Sequence, residues 1–351
     1  MLRRKTMKVL PALLLCGMTA FAQKPSSPAK HQPSHEDAAK QGIQLNVVVQ
    51  GRDGNPITGL ALQDFTILDN KVPQKITSFQ PMKGAASQVE VIILIDNVNI
   101  GYTSIAYERQ EIDKFFRMNG GKLPYPTSLA IFSDSGTQMM RGFSQNGAEM
   151  SKGLDDFTIG LRALTRSAGF YGATERLDKS LKTLTLLSAS LARLPGRKLV
   201  LWMSPGWPIL ENPNVLMSDR QQRGIFDEIT RLSADLRLAG ITLYAIDPTG
   251  NTDVGFRTMY YKSFLKPVRK PSQAGYGNLA LQVLATQSGG LVLNSSNDIA
   301  ELMQRAVGDA DAYYQLTFDP GPGEPDEYHQ IEVQVAKPGL STRAQTGYYS
   351  R

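Results

Sequence analysis

Cysteine and histidine are scarce in this 351-residue chain, which has one cysteine and three histidines. The cysteine, Cys16, lies in a leading apolar run that we expect to be removed, which excludes disulfides, a thiol nucleophile and cysteine-bound zinc from the mature chain. Two histidines, His31 and His35, fall in a leading segment, and His329 falls in an alternating stretch where we predict a surface position. One histidine in the ordered chain cannot supply a Ser-His-Asp set or a histidine zinc site.

Long hydrophobic runs are also missing, since the apolar run that follows the basic start is too short for a stable membrane anchor. With the small residues Ala20 and Ala22, it predicts a signal peptide over residues 1–22. A lipid anchor on Cys16 is disfavoured because a large leucine precedes it. Residues 23–42 are rich in Pro, Ser, Lys, Gln and Ala, which predicts a disordered tether. We expect an exported protein, periplasmic or extracellular, that is not an integral membrane protein.

The basic excess of the chain is concentrated at its start. The formal net charge is +6, from 38 basic and 32 acidic residues. Arg3, Arg4, Lys5 and Lys8 lie in the predicted signal peptide, and without these four the 34 remaining basic residues face 32 acidic ones. So small an excess gives no argument for a nucleic-acid partner. A glycine-rich phosphate loop after the first buried strand is missing as well.

An apolar run that ends in an aspartate organises the middle of the chain. Residues 91–96, mostly β-branched, predict a central strand buried on both faces. From about residue 90, strand and helix patterns alternate, which predicts a doubly wound, mainly parallel, Rossmann-like α/β sheet. The further strands are predicted at 127–133, 198–204, 241–247 and 291–293, with an antiparallel edge strand at 137–143. The helices are predicted at 107–117, 175–193, 217–239, 277–287 and 298–307.

Short strands with closely spaced turns flank this α/β region on both sides. An N-terminal β segment over residues 43–82 contains three predicted strands, and a C-terminal β segment over residues 310–351 contains three more. Three strands alone are marginal as an independent unit. We therefore predict that the two segments pack together as a small β-domain, into which the α/β domain, residues 88–308, is inserted.

Short motifs occur in a fixed order in the two segments that flank the α/β region: Gly59-Leu60, Asp64-Phe65, Leu68-Asp69-Asn70, Gln74-Lys75-Ile76, Tyr313-Tyr314-Gln315-Leu316 and Gly347-Tyr348-Tyr349. With these motifs, residues 44–350 resemble the secreted bacterial von Willebrand factor type A-related proteins that are abundant in acidobacteria. The α/β region itself resembles a von Willebrand factor type A domain. The resemblance implies a type A fold with a metal-ion-dependent adhesion site at the carboxyl ends of its strands.

The cation motif of that family is incomplete in this chain. The family has Asp-x-Ser-x-Ser after the first strand, where this chain keeps Asp96 but has Val98 and Ile100 in place of the serines. It also has a Thr in a second loop, matched by Thr174, and an Asp after the fourth strand, where Pro205 stands here.

The resemblance therefore implies a degenerate site that holds Mg²⁺ or Ca²⁺ weakly, with several waters. Its candidate metal ligands are Asp96, Asn99, Thr174 and Ser204. In the open alternative, Asp96 only caps the backbone N–H groups of its own turn.

A long connection over residues 248–276 follows a predicted strand. Its basic residues are Arg257, Lys262, Lys266, Arg269 and Lys270, against one acidic residue, Asp253, and aromatic side chains are interleaved among them. Loops of this length are often functional, so we interpret the connection as a partner-binding lid. An ordinary solvated insertion is the alternative. Trp207 is a candidate for an exposed recognition residue at the rim.

The sequence as a whole favours a secreted, non-catalytic binding or adhesion-type module. We expect it to engage a protein or cell-surface polymer, and no nucleic acid, through the carboxyl ends of the strands. The ligand-binding candidates are Asp96, Asn99, Thr174, Ser204 and Trp207. One alternative is a structural or assembly component of an envelope or secreted complex. A less favoured alternative is a hydrolase in which Asp96 and Asp247 hold a metal.

Overall fold

Four β-strands come first in the computed structural model: β1 (Ile43–Gln50), β2 (Phe65–Asp69), β3 (Val72–Gln74) and β4 (Ile76–Lys83). The structure describes residues 42–84, 87–158, 169–208, 210, 217–249, 260–321 and 323–350. The predicted signal peptide, and the predicted tether apart from Gly42, lie outside these ranges. In β1 the side chains of Ile43, Leu45 and Val47 are buried while Gln44 between them is exposed, which is the alternation of a strand packed on one face.

The central sheet has seven strands: β5 (Val89–Asp96), β6 (Lys122–Ser133), β7 (Gly136–Met139), β8 (Ser144–Asn146), β9 (Arg197–Met203), β10 (Ile241–Ile246) and β11 (Val292–Leu293). Their order is β11-β10-β9-β5-β6-β7, with β8 beside β6. All neighbours are parallel except β7 and β8, which pair antiparallel with β6. The prediction of a mainly parallel α/β sheet is confirmed. Counted from β5 and leaving out β8, the order is 3-2-1-4-5-6, as in doubly wound sheets, except that the third strand, β7, is antiparallel.

Helices cover both faces of this sheet: α1 (Tyr102–Arg117), α2 (Gly147–Thr158), α3 (Gly169–Leu191), α4 (Asp219–Leu238), α5 (Leu281–Gln287) and α6 (Ile299–Gly308). Ile92 and Leu94 of β5 pack in one apolar cluster with residues of α3, α4 and α5. Ile93 and Ile95 pack in a second cluster with residues of α1, α2 and α6. Each of these side chains contributes about 1.5–3 kcal/mol on burial, so β5 anchors both layers.

The last strands are β12 (Ala312–Phe318), β13 (Tyr328–Val335), β14 (Ser341–Arg343) and β15 (Gly347–Tyr349). They pair with the first strands in two four-stranded sheets, of order β14-β1-β12-β4 and β15-β13-β2-β3. Both are antiparallel, and the register sets Leu45 opposite Leu316 and Ile67 opposite Val333. Because the inward side chains of both sheets form one apolar cluster, strands from the two ends of the described chain share a core.

A buried polar network connects these terminal sheets to the α/β layers. The Nη2 of Arg343 in β14 lies 2.6 Å from both carboxylate oxygens of Asp309, which follows α6. The hydroxyl of Tyr244 donates to the same carboxylate at 2.5 Å, and Nη1 of Arg197 donates to the backbone carbonyl of Asp309 at 3.0 Å. Asp309 and Arg197 are almost fully buried, so each charge depends on these partners.

The predicted surface position of His329 is wrong. His329 is only 8% exposed, because β13 lies between β2 and β15 and the His329 side chain faces the core that these strands share. Its Nδ1 lies 2.9 Å from both carboxylate oxygens of Asp69, to which Tyr348 also donates. The His329 ring stacks on the Tyr348 ring at 4.7 Å. Within the described ranges, none of the helices is long and apolar enough to span a membrane.

Candidate functional site at the carboxyl ends of the strands

Asp96 ends β5 at the top face, the surface where the parallel strands of the central sheet terminate. It is fully buried. Its Oδ1 accepts from the backbone N–H groups of Val98 at 3.0 Å and Asn99 at 2.9 Å. Its Oδ2 accepts from the Asn99 amide at 2.8 Å and from the Trp202 indole at 3.0 Å. Burial raises the pKa of Asp96, and these hydrogen bonds lower it in part. The carboxylate caps its own turn and fixes Trp202.

The residues around Asp96 do not fit a divalent cation. Four N–H donors already occupy the two oxygens of its carboxylate, and Asn99 presents its amide nitrogen both to Asp96 and to the Ser180 hydroxyl at 3.0 Å. Mg²⁺ and Ca²⁺ need oxygen ligands in these positions. The described residues contain no cluster of three or more His, Cys, Asp or Glu side chains that could hold a metal ion.

Only part of the predicted ligand set comes together. Ser204 is buried beside Asp96, and a hydrogen bond from Ser204 lowers the pKa of Asp96. The Oγ of Ser204 also accepts from the backbone N–H of Gly206 at 3.2 Å. Thr174 was expected in a loop, but α3 begins at Gly169 and contains it. The Thr174 hydroxyl donates to the Phe170 carbonyl one turn earlier, at 3.0 Å. A helical hydroxyl that is bonded to its own backbone is not oriented as a cation ligand.

Trp207 is not an exposed rim residue, which corrects the sequence-based expectation. It is 3% exposed, and its ring packs edge-on against Trp202 with 5.3 Å between the centroids. Trp202 in turn packs against Phe132 of β6. The Trp207 indole N–H is buried and has no hydrogen-bond partner among the described residues. Packing between aromatic rings therefore holds the 204–208 turn down on the sheet.

Two adjoining hollows open beside this turn, at the carboxyl ends of β9, β10 and β11. The aromatic hollow is a shallow depression lined chiefly by Trp207, Pro208, Tyr260, Tyr261, Tyr276 and Gln282. The polar hollow is similarly shallow and is lined chiefly by Ser204, Pro205, Asp247, Tyr261, Gln282 and Asn294. Because Tyr261 and Gln282 belong to both, we treat the two hollows as one site and call it the Tyr261 crevice.

Two glycines let the walls of the Tyr261 crevice approach each other. Gly206 has a φ of +111°, and a Cβ there would lie 2.4 Å from Nε2 of Gln282. The same Nε2 donates to the Pro205 carbonyl at 3.2 Å and ties α5 to the turn. A Cβ on Gly277 would lie 2.5 Å from the ring of Phe264. The positive φ favours glycine at position 206, and the close approach of the Phe264 ring favours it at position 277.

The predicted lid is only partly described, because residues 250–259 lie outside the described ranges. Residues 260–263 are helical, and the Tyr260 ring packs on Phe264 at 5.0 Å. Farther along, the Val268 carbonyl accepts from the Tyr349 hydroxyl at 2.8 Å, and the Arg269 guanidinium lies 5.5 Å from the Tyr328 ring centre. The segment 260–270 thus begins as a wall of the Tyr261 crevice and ends against the terminal strands β13 and β15.

Glu108, on α1, is a buried carboxyl group that the sequence analysis missed. It is fully buried, and within the described part of the chain neither of its oxygens has a hydrogen-bond partner. Burial raises the pKa of Glu108 well above its usual value, and the charge of Asp96 raises it further. Its position four residues before Ile112, on the buried face of α1, was the available signal, but a lone Glu on a helix normally faces solvent.

Comparisons with known proteins give no family for the chain. No family model matches it, and no curated protein matches it. Among solved structures, the pilus adhesin SpaC from Lactobacillus rhamnosus GG is similar over 85% of this chain and 48% of that chain, with 11% sequence identity and a TM-score of 0.33. The chain thus spans about half the length of that adhesin. A likeness at this TM-score carries no argument about fold family or function.

Proposed function

We propose that this chain is an exported, non-catalytic binding module, related to von Willebrand factor type A domains, that engages a protein or surface polymer through its top face. The observation that carries the proposal is the Tyr261 crevice, where aromatic and polar side chains converge at the carboxyl ends of three strands. Open α/β sheets bind ligands outside these ends, in clefts that are mostly apolar with a few polar groups. The flanking sequence motifs support the type A relationship, and the basic and apolar leading residues support export.

The proposed binding is independent of a cation and involves no chemistry. The hydrogen bonds from four N–H donors to the Asp96 carboxylate support this, because they occupy the oxygens that a metal ion or a substrate proton would need. The hydrolase alternative also needs Asp247, whose Oδ1 accepts from the backbone N–H of Thr249 at 2.9 Å and from its hydroxyl at 2.6 Å. Both carboxylates thus serve turns, as aspartates at strand ends commonly do.

The proposal is tested by binding the purified chain to a cell-envelope fraction with and without EDTA. We expect equal retention in both conditions, since no cation is involved, and a loss of about tenfold in affinity for Tyr261→Ala, which removes a ring shared by both hollows. The matched control is Val72→Ala, an exposed position on the edge strand β3 far along the chain from the crevice.

Two outcomes would contradict the proposal. Retention abolished by EDTA would restore the cation-dependent site at Asp96. Retention that depends on Val72 and not on Tyr261 would transfer the contact to the terminal sheets and support the structural or assembly alternative.

A further inference from the structure

We propose that the Tyr261 crevice, together with a row of lysines that leads away from it, binds an acidic polysaccharide. The lysine row consists of Lys262, Lys266 and Lys270. This inference rests on the proposed binding function and names the chemical class of its ligand. Three features carry it: the aromatic hollow, the polar hollow, and the charge of the segment that forms the wall between them and the terminal strands.

The aromatic hollow suits the C–H face of a sugar ring. Tyr260, Tyr261 and Tyr276 line the hollow and are partly exposed, and aromatic side chains of this kind bind at low cost in side-chain entropy. Trp207 and Pro208 complete the apolar lining beside them.

The polar hollow suits hydroxyl groups better than it suits anions. Its wall carries the carboxylate of Asp247 and the amide of Asn294, whereas the Ser204 hydroxyl is buried and already bonded to Asp96 and Gly206. A sugar hydroxyl both donates and accepts, so it is compatible with a carboxylate and with an amide. A phosphate or carboxylate at the same position would be repelled by Asp247. This assigns the neutral face of a sugar to the crevice and leaves the ligand's anionic groups outside it.

The lysine row supplies the complementary charge for those anionic groups. Lys262, Lys266 and Lys270 are all exposed, and none forms an ion pair within the described ranges of the chain. Residues 260–270 also contain Arg269 and have no acidic residue. The three lysines recur at every fourth residue, so their charge forms an array along the segment instead of a single positive point. A polymer with one charge in each repeat matches such an array.

The inference is tested by affinity electrophoresis and calorimetry of the full chain with polygalacturonate as the probe, in EDTA. Neutral dextran, poly-L-glutamate and single-stranded poly(dT) serve as comparison polymers. We expect binding to polygalacturonate that weakens as salt is added, and binding at least about tenfold weaker to the other three. Stronger or equal binding to poly-L-glutamate or poly(dT) would overturn the assignment in favour of an acidic peptide or a nucleic acid. Equal binding to dextran would show that the lysine row does not contribute to binding and would overturn the assignment of an acidic ligand.

Matched variants separate stacking from charge. Tyr261→Ala is expected to weaken polygalacturonate binding about tenfold, while Tyr261→Phe retains the ring and stays near the parent. The double variant Lys262→Glu/Lys266→Glu should also lose about tenfold and show a shallower salt dependence. Lys152→Glu makes the same kind of charge change on the exposed side of α2 and should have no effect. Loss with Lys152→Glu equal to that with the double variant would mean that only net charge matters, and would overturn the site.

The inference and the proposed function can fail separately. If the chain binds the envelope fraction through Tyr261 but does not bind polygalacturonate, the polysaccharide assignment is wrong and the binding function stands. If it binds neither, both are wrong.

Discussion

Asp96 and Glu108 are fully buried carboxyl groups at the same end of the central sheet, and their surroundings are opposite. Asp96 accepts hydrogen bonds from four N–H groups, whereas Glu108 has no partner within the described part of the chain. A buried carboxylate without partners is costly, so the protonated form of Glu108 is favoured. Asp96 therefore serves as a structural cap, whereas ionisation of Glu108 destabilises the folded chain.

Replacing Glu108 with methionine should stabilise the protein more at pH 8 than at pH 5. The pKa of Glu108 is raised in the folded chain, so the folded state holds a proton that the unfolded state releases above its ordinary carboxyl pKa. Stability is therefore lost as the pH rises from the unfolded value toward the folded one. Glu108→Met removes that loss and the unpartnered group, with an expected gain of about 1–3 kcal/mol in the free energy of unfolding at pH 8. Urea denaturation at the two pH values measures it.

The control for this prediction is Glu175→Met on the exposed side of α3. Its effect should be small and nearly the same at pH 5 and pH 8, since that carboxylate is solvated in both states. A gain for Glu108→Met that is independent of pH would show that packing, and not titration, is responsible.

The sequence placed Asp96 correctly at the end of a strand, but it left open whether Asp96 is a cation ligand or a cap. One of the hydrogen-bond donors to its carboxylate is Trp202, which lies on a different strand. His329 and Trp207 were misjudged for the same reason. Their burial depends on Asp69, Tyr348 and Trp202, which lie on other strands. Local patterns carry no information about such partners.

At the scale of elements, the periodicity of the sequence predicted most strands and helices, although α1 begins five residues and α3 six residues before the predicted starts at 107 and 175. α2 was missed: it follows a short strand directly, and Asn146 caps its first turn by accepting from the N–H of Ala148 at 3.0 Å. The C-terminal segment was predicted to contain three strands and contains four. Its last part is divided between β14 and β15, which belong to different sheets, because the chain crosses from one sheet to the other at residues 344–346.

Two glycines in different elements should respond oppositely to alanine. Gly206, in the turn after β9, has a positive φ and faces Gln282, so Gly206→Ala should cost more than about 1 kcal/mol in stability and weaken ligand binding at the Tyr261 crevice. Gly224 lies in the interior of α4, and a Cβ there would have no atom within 4 Å. Gly224→Ala should therefore stabilise the protein by about 0.5–1 kcal/mol and leave binding unchanged.

Thermal and urea unfolding, with binding measured alongside, check this pair. A destabilisation by Gly224→Ala as large as that by Gly206→Ala would contradict the assigned roles of the two positions.

At the scale of the whole molecule, the network around Asp309 connects the terminal sheets with the α/β layers. Asp309→Ala leaves the charge of Arg343 uncompensated in a largely buried environment, while Arg197 keeps its bond to the backbone carbonyl at this position. We expect a loss of about 3–5 kcal/mol in the free energy of unfolding, measured by urea denaturation. The exposed ion pair between Asp113 and Arg117 is the control, and Asp113→Ala should cost less than about 1 kcal/mol.

A second variant keeps this prediction testable if Asp309→Ala fails to fold. Asp309→Leu combined with Arg343→Met replaces the buried ion pair with apolar groups and should recover most of the loss. If the double variant is as unstable as the single one, the buried charge is not the cause.

The sequence by itself determined the class of the fold: a mainly parallel α/β sheet whose central strand is residues 91–96, with β-strands before and after it. Burial periodicity is a local property, so it survives in the linear sequence. Only the tertiary structure decided what the top face offers. In the folded chain, N–H donors surround the Asp96 carboxylate and Trp207 is buried. Tyr261 and Gln282 lie together beside the 204–208 turn. These features depend on residues far apart in the chain, whose contacts are set by how strands and helices pack and not by their own local patterns.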